Sequence, residues 1–187
     1  MARISLNPPR TPLYRLVEWY SRRRYGDMLD PGKALAHNSR VLFADLRFER
    51  AVAKLGTLDP VLKELAVMTA AAAIGCSWCM DFGYYESVRL GADARKVRDV
   101  ARWRDSDAYD DVERAVLAYS EAATASPAAV GPEVVEELRR HLDEAQVVEL
   151  AAWVALENLR SRFNAGLGLH TQGFSDHCEV PLALGRT

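Results

Sequence analysis

Apolar residues recur along this chain at the three- and four-residue spacing of amphipathic helices, and no segment sustains the strict alternation that is typical of a strand. Stretches containing Pro, Gly, Asp and Ser separate these helical segments. We therefore predict an all-α protein. The predicted helices cover residues 14–25, 30–55, 60–74, 77–90, 93–103, 112–124, 132–141 and 143–169.

Two Asp-Pro pairs mark helix starts. Asp30-Pro31 and Asp59-Pro60 each combine an acidic N-cap with a proline at the first helical position, where no backbone N–H is required. The helix after Asp59 carries no charge beyond its first five residues, and Gly75 supplies its C-terminal stop. A helix that is apolar on all sides is typical of a buried position, so we predict that it lies at the centre of the fold.

The pattern divides the chain into an arm, a helical domain and a tail. Residues 1–28 begin with a proline-containing stretch without periodicity and continue into a short helix. Residues 29–170 hold the other predicted helices, and residues 171–187 are predicted to be irregular. A chain of 187 residues is long enough to bury one substantial core.

Charge and hydropathy exclude several classes of partner. The formal net charge of −2 provides no electrostatic attraction to nucleic acid or to anionic lipid. The longest apolar run, residues 65–76, is shorter than the roughly 20 residues that span a bilayer. The N-terminus has no apolar segment typical of a secretory signal. We therefore predict a cytoplasmic protein with neither a nucleic-acid nor a membrane partner.

The chemistry of the sequence is concentrated in Cys76-Ser77-Trp78-Cys79, at the first turn of a predicted helix. Unpaired N–H groups at a helix start stabilise a thiolate, and this spacing brings the two sulfurs within disulfide distance. The chain has three cysteines, and an odd number does not make a secreted disulfide framework. The pair therefore indicates redox or metal chemistry.

Zinc is the competing use of such a pair, and an inert structural pair is a third. A structural zinc site needs four ligands. Only His177 and Cys178 remain as obvious partners, and adjacent residues seldom ligate one ion together. We predict a redox pair, with no metal and no cofactor.

Glu64 is the lone acid in the apolar run before the cysteines. A carboxylate in a buried helix costs several kcal/mol unless it is paired or protonated, so Glu64 needs a specific partner. One interpretation is an ion pair with Arg160 or Arg162 of the last helix. The other is a proton acceptor beside the thiols, and the two are compatible.

Glu64, followed by eleven residues and then by Cys76-x-x-Cys79, resembles the motif of the carboxymuconolactone decarboxylase superfamily, within it the alkylhydroperoxidase D-like branch. The last predicted helix is similar too, with Asn158 and Arg162 four residues apart. The resemblance covers roughly residues 35–170.

The resemblance implies a helical bundle of about seven to eight helices that assembles as a homo-oligomer, a trimer or a hexamer. It also implies that Cys76 and Cys79 act as a peroxidatic and resolving pair with a peroxide substrate. A dithiol electron donor such as a lipoyl-type protein would then reduce their disulfide. Asn158 and Arg162 would lie near subunit contacts or the pocket.

The sequence departs from the motif at Gly83, where the branch has a histidine four residues after the second cysteine. Such an imidazole would lie one helical turn from Cys79 and relay protons to the sulfur. Glycine has no such group, and Asp81, Tyr84 and Tyr85 are the nearest polar candidates. Histidines elsewhere in the chain, His37, His141, His170 and His177, are more distant candidates.

The main hypothesis is a thiol-dependent antioxidant oxidoreductase, a peroxidase or disulfide reductase, with Cys76, Cys79 and Glu64 as its site. A second hypothesis is an enzyme of the same superfamily that acts on a small carboxylic acid or lactone without thiol chemistry. Gly83 favours this second hypothesis, and retention of both cysteines opposes it. A third is a non-enzymatic oligomeric stress or binding protein.

Overall fold

A computed structural model describes residues 2–177 of the chain. The all-α prediction is confirmed: the described residues form helices and contain no strand. The α-helices, numbered α1 to α9 in chain order, are Pro12–Tyr25, Asp30–Leu35, Ser39–Val52, Pro60–Ile74, Ser77–Arg89, Ala94–Asp99, Asp111–Thr124, Pro132–Arg139 and Glu144–Leu167. Two 3₁₀ segments, Val100–Asp105 and Ser175–His177, complete the regular structure.

The capping signals act where the sequence predicts them on α4. Asp59 Oδ1 accepts hydrogen bonds from the Val61 and Leu62 amides at 2.8 and 3.3 Å. Gly75 ends the helix with φ +77°, in the left-handed region that glycine adopts without a steric penalty. These two residues place the dithiol immediately beyond the end of the most buried helix.

Two predicted helices are interrupted. The helix predicted over residues 30–55 is two helices, because the Asn38 side chain accepts hydrogen bonds from the Arg40 and Val41 amides and starts α3 anew. The helix predicted over residues 93–103 ends at Asp99 and continues as 3₁₀ structure, with non-helical angles at Arg102. Side-chain capping by Asn38 is a local signal that a loose apolar period conceals.

The chain forms two compact units. The first comprises α1 to α3 with residues 166–169, around a small core of Tyr14, Met28, Ala36 and Leu42. In this unit the Arg3 amide donates a hydrogen bond to the Leu167 carbonyl oxygen at 2.8 Å. Large apolar side chains on its helices are exposed: Leu16, Trp19, Tyr20, Phe43 and Phe48.

The second unit comprises residues 56–165 and the segment from His170 onward. Helix α4 lies at its centre, as predicted, and packs against α5 and α7. Met68, Ala70 and Ala71 of α4 are fully buried. The alanines let neighbouring helices approach closely, and Leu150 and Val154 of α9 complete the core. Within residues 2–177, no helix is both long and apolar enough to cross a bilayer.

Candidate functional site

The two cysteines of the motif form a disulfide at the start of α5. Cys76 is the N-cap of the helix, and its Sγ accepts a hydrogen bond from the Cys79 amide at 3.2 Å. The two Cα atoms are 5.3 Å apart, within the usual range for a disulfide. Only 2% of Cys76 and 6% of Cys79 is exposed. The disulfide is therefore almost completely buried.

Polar side chains of α9 contact the sulfur of Cys79. The Ser161 hydroxyl lies 3.2 Å from Cys79 Sγ, and Asn164 Nδ2 lies 3.3 Å from it and 3.9 Å from Cys76 Sγ. The Ser161 hydroxyl also lies 2.6 Å from Glu157 Oε1. Ser161, Asn164 and Glu157 are all buried. The Ser161 hydroxyl thus lies within hydrogen-bond distance of both the carboxylate and the sulfur, and its one proton can be donated to either of them.

Two cations lie beside the buried carboxylate and its neighbour Trp153. Arg160 contacts Glu157 Oε2 at 3.5 Å, and its guanidinium lies 5.9 Å from the centre of the Trp153 ring. The ammonium group of Lys63 lies 4.9 Å from the same ring. The Arg160 contact reduces the cost of burying the Glu157 carboxylate.

Glu64 does not have the predicted arginine partner. Its carboxylate pairs with Lys63 at 3.0 Å and accepts a hydrogen bond from the Ser87 hydroxyl at 3.1 Å. The predicted ion pair with Arg160 or Arg162 is therefore wrong, because the adjacent residue supplies the cation. A catalytic role for Glu64 stays a prediction.

Met68 fills the space beside Gly83. A Cβ atom added at Gly83 would lie 2.5 Å from Met68 Sδ, closer than two such atoms approach. Met68 is fully buried and follows Glu64 by four residues on α4. A thioether therefore occupies the position next to Cys79 where the motif's imidazole would begin.

Asp81 holds the segment after α9 rather than replacing the missing histidine. Its Oδ2 accepts hydrogen bonds from the amides of Gln172, Gly173 and Phe174 at 2.9, 2.9 and 3.2 Å. Its Oδ1 accepts from the Ser175 amide at 2.7 Å. Burial alone would raise the pKa of Asp81, but hydrogen bonds from Ser175, Thr171 and Phe174 hold it below its ordinary value.

Aromatic side chains also connect this segment, residues 171–175, to α5. Trp78, between the two cysteines, donates its indole N–H to Gln172 Oε1 at 2.7 Å. The Phe82 ring stacks on Trp78 with centroids 5.0 Å apart and meets Phe174 edge-on at 5.3 Å. Residues 171–175 are thus bound to α5 by these contacts.

Asn158 and Arg162, marked by the resemblance, hold the end of α7. Asn158 Nδ2 donates to Thr124 Oγ1 at 2.9 Å, and Arg162 donates to the Thr124 carbonyl oxygen at 3.1 Å. They lie on a different strip of α9 from Ser161, and their contacts are structural.

Three other histidines have partners that are not the cysteines or are exposed. His37 Nε2 lies 2.7 Å from the Ser5 carbonyl oxygen, His141 lies 3.4 Å from Glu137, and His170 is exposed. Between residues 2 and 177, no group of three or more His, Cys, Asp or Glu side chains is arranged to hold a metal ion. Cys178, named as a zinc ligand candidate, lies outside the described residues.

The sequence patterns did not single out Glu157, Ser161 or Asn164. A signal for them does exist, because Glu149, Glu157, Ser161 and Asn164 recur at helical spacing on a strip of α9 that is buried. Buried polar side chains need partners, so such a strip indicates a polar site inside the fold. The resemblance marks Asn158 and Arg162 instead, and each of them lies one residue beyond Glu157 or Ser161 on the adjacent strip of the helix.

The described residues form an all-helical bundle with a CxxC pair at a helix start, and alkylhydroperoxidase D-like proteins share this fold. The family model described as "Carboxymuconolactone decarboxylase family" matches residues 42–122, and the chain belongs to that family.

One curated relative and two solved structures are similar to this chain. The uncharacterized protein YnjA of Escherichia coli is 31% identical over 173 residues, which cover 90% of this chain and 92% of YnjA. The debrominase Bmp8, solved as a cysteine-to-alanine variant in complex with 2,3,4-tribromopyrrole, superposes with a TM-score of 0.80 at 22% identity, covering 93% of this chain and 95% of Bmp8. An alkylhydroperoxidase AhpD core protein of Ralstonia eutropha, peroxidase-related, superposes with a TM-score of 0.79 at 20% identity, covering 96% and 97%. At these identities the two structures show the shared fold.

Proposed function

We propose that this protein is a thiol-dependent antioxidant oxidoreductase that reduces a peroxide through Cys79 and Cys76. One observation carries the proposal: the two cysteines form a disulfide whose Cys79 sulfur receives polar contacts from Ser161 and Asn164. Donors in this position stabilise negative charge on the sulfur, and the thiolate is the reactive form of cysteine.

Cys79 attacks the peroxide in this scheme. Its thiolate attacks the distal oxygen of the peroxide, and the O–O bond breaks. The products are a sulfenic acid on Cys79 and an alcohol, or water from hydrogen peroxide. The Cys76 thiolate then attacks the sulfenic sulfur and releases water, which forms the observed disulfide. Two electrons from the dithiol reduce one peroxide.

The cycle closes with an external dithiol of the lipoyl type. A donor thiolate attacks the disulfide, a mixed disulfide forms, and the second donor thiol releases the reduced protein. Because Cys76 and Cys79 are 2% and 6% exposed, the protein has to open locally before a donor of this size reaches them. We propose a homo-oligomer, a trimer or a hexamer, working in the cytoplasm.

The buried amide of Asn164 supplies a substrate contact. Its Oδ1 is buried and has no hydrogen-bond partner among the described residues, while its Nδ2 faces both sulfurs. An acceptor beside the attacking sulfur suits the O–H of a hydroperoxide.

The test is turnover of hydrogen peroxide with dihydrolipoamide as the reductant, comparing the native protein with Cys76→Ser and Cys79→Ser. Native turnover that either substitution abolishes supports the proposal. Glu64→Gln in the same assay tests the role predicted for that carboxylate. Turnover of a small lactone or carboxylic acid that survives both cysteine substitutions would favour the thiol-independent alternative. Absence of any turnover would favour a binding protein.

Reductive dehalogenation of an aromatic ring is a second candidate, favoured by the likeness to Bmp8 and by the aromatic side chains of Trp78, Phe82 and Phe174 beside the dithiol. One carbon–bromine bond and two thiols would give a carbon–hydrogen bond, bromide, a proton and the disulfide. Bromide release from 2,3,4-tribromopyrrole under the same dithiol, lost in Cys79→Ser, tests it. Peroxide turnover without bromide release would rule it out.

A further inference from the structure

We propose that Glu157 and Ser161 form a proton relay for Cys79, taking the place of the imidazole that Gly83 lacks. This inference rests on the proposed thiol chemistry and names residues that the family motif does not contain. Ser161 contacts the reacting sulfur and is a catalytic residue, whereas Glu157 acts through it as a positioning residue and proton acceptor.

Geometry supports the relay at each step. The Ser161 oxygen lies 3.2 Å from Cys79 Sγ and 2.6 Å from Glu157 Oε1, both within hydrogen-bond range. Glu157 and Ser161 are four residues apart on α9, so they share one face of the helix. Ser161 is fully buried and Glu157 is 3% exposed, so bulk water does not compete for these contacts.

A serine hydroxyl has one proton and two lone pairs, so the chain has two arrangements in the reduced protein. In the first, the Cys79 thiol donates to Ser161, and Ser161 donates to the Glu157 carboxylate. In the second, Glu157 is protonated and donates to Ser161, and Ser161 donates to the Cys79 thiolate. Passing from the first to the second breaks the S–H bond, forms an O–H bond on Glu157 and leaves the total charge unchanged.

The same chain serves the return half of the cycle. When a donor thiolate attacks Cys76, the S–S bond breaks and Cys79 leaves with the electron pair. The Ser161 hydroxyl and the Asn164 amide then donate to that thiolate, and a proton from Glu157 converts it to a thiol. The leaving sulfur is thereby stabilised without exposure to water.

Charged groups on α9, α4 and α5 have contacts of their own. On α9 itself, Arg160 contacts the other oxygen of Glu157 at 3.5 Å. On α4, Lys63 and Glu64 pair with each other at 3.0 Å. On α5, the Asp81 carboxylate is occupied by backbone amides of residues 172–175. Glu157 is thus the carboxylate in the described part of the chain that reaches a dithiol sulfur through one hydroxyl.

This relay has a distinctive pH signature. An isolated thiol below its pKa of about 8.5 becomes about tenfold more reactive for each unit of pH. A thiolate formed by transfer to a neighbouring carboxylate depends on the balance between the two groups and not on bulk pH. Reactivity of Cys79 is therefore expected to be nearly independent of pH around neutrality.

The experiment measures alkylation of Cys79 by iodoacetamide against pH, localised by mass spectrometry, with the ultraviolet absorbance of the thiolate as a second readout. Cys76→Ser is the parent, because serine is a good N-cap and cannot form the disulfide. In this parent, Glu157→Gln should lower reactivity by about tenfold near pH 6, restore the tenfold rise per unit, and leave reactivity near pH 8.5 equal or higher. Ser161→Ala should behave in the same way, and combining the two should add nothing.

Ser120→Ala is the matched control. Ser120 is another fully buried helical serine, and it donates to the Val116 carbonyl oxygen at 2.8 Å, away from the thiols. It should leave the profile unchanged. Profiles of Glu157→Gln that run parallel to the parent at every pH, or above it at every pH, would overturn the relay in favour of a structural or purely electrostatic effect. Alkylation requires neither peroxide nor donor, so a failed relay and a failed peroxidase are separate results.

Discussion

Two sides of the dithiol helix carry a buried or half-buried carboxylate, and only one of them reaches the sulfurs. On the α4 side, Glu64 pairs with Lys63 and Ser87. On the α9 side, Glu157 bonds Ser161, which contacts Cys79. The family motif marks the first side, and the hydrogen bonds lie on the second. Motif spacing identifies a site, whereas the contacts show which polar groups reach its sulfurs.

Releasing residues 172–175 from Asp81 should have the largest effect on stability. Asp81→Asn removes the charge that binds the amides of residues 172–175 and should lower the free energy of unfolding by about 3 kcal/mol, measured by urea denaturation. Thiol alkylation should become faster as the segment opens. Asp111→Asn, an exposed acid on α7, is the control and should change the free energy by less than about 0.5 kcal/mol.

The pH dependence of that stability has a defined sign. The pKa of Asp81 is lowered, so its carboxylate stabilises the folded protein fully above the ordinary value of about 4, and this contribution fades as the pH falls below it. Asp81→Asn should flatten the acid limb of the stability curve. An unchanged acid limb would contradict this role.

Restoring the motif's histidine at position 83 should have a smaller effect on stability, and its size should depend on Met68. Gly83→His places a side chain against Met68 Sδ and should cost about 2 kcal/mol of stability. Adding Met68→Ala should recover part of that loss and bring an imidazole beside Cys79, seen as a new titration near pH 6.5 in the alkylation profile. Gly83→His without loss of stability would show that Met68 moves aside freely.

Neutralising Glu157 and neutralising Glu64 should have clearly different effects on peroxide turnover. Glu157→Gln should lower peroxide turnover near pH 6 by about tenfold, less than the roughly 10²- to 10⁴-fold that is usual for general acid–base catalysis. Glu64→Gln should change it by less than about threefold, because its partners are Lys63 and Ser87. The reverse order of effects would return the catalytic role to the motif side.

The smallest effect is expected at Asn158, on the neighbouring strip of α9. Asn158→Ala removes a hydrogen bond to Thr124 and should cost about 1 kcal/mol in thermal or chemical unfolding. The alkylation profile of Cys79 should be unaltered. A changed profile would extend the site beyond Ser161 and Asn164.

The sequence allowed the all-α class, most helix starts and the proximity of Cys76 and Cys79 to be predicted, because caps and CxxC spacing act locally. Asp59, Gly75 and Cys76 each specify the backbone within a few residues. The break at Asn38 was missed because a capping amide is also compatible with a helix interior.

The partners of Cys79 were harder to predict, since Ser161 and Asn164 lie 82 and 85 residues away along the chain. No local pattern states which strip of α9 faces α5. The same limit applies to Glu64, whose cation is the residue beside it, and to Asp81, whose amide partners come from a segment without periodicity. These contacts form only when the helices pack together, so no local sequence pattern predicts them.

The contact between Met68 and Gly83 also constrains how the site can change over generations. A mutation from glycine to histidine at position 83 meets an occupied space, and a smaller residue at position 68 leaves a cavity while position 83 is still glycine. The first step requires the flexible Met68 side chain to shift, and the pair of changes removes the need for that shift. Ancestral chains with the histidine are therefore expected to carry a smaller side chain at position 68, and the two positions should be exchanged together.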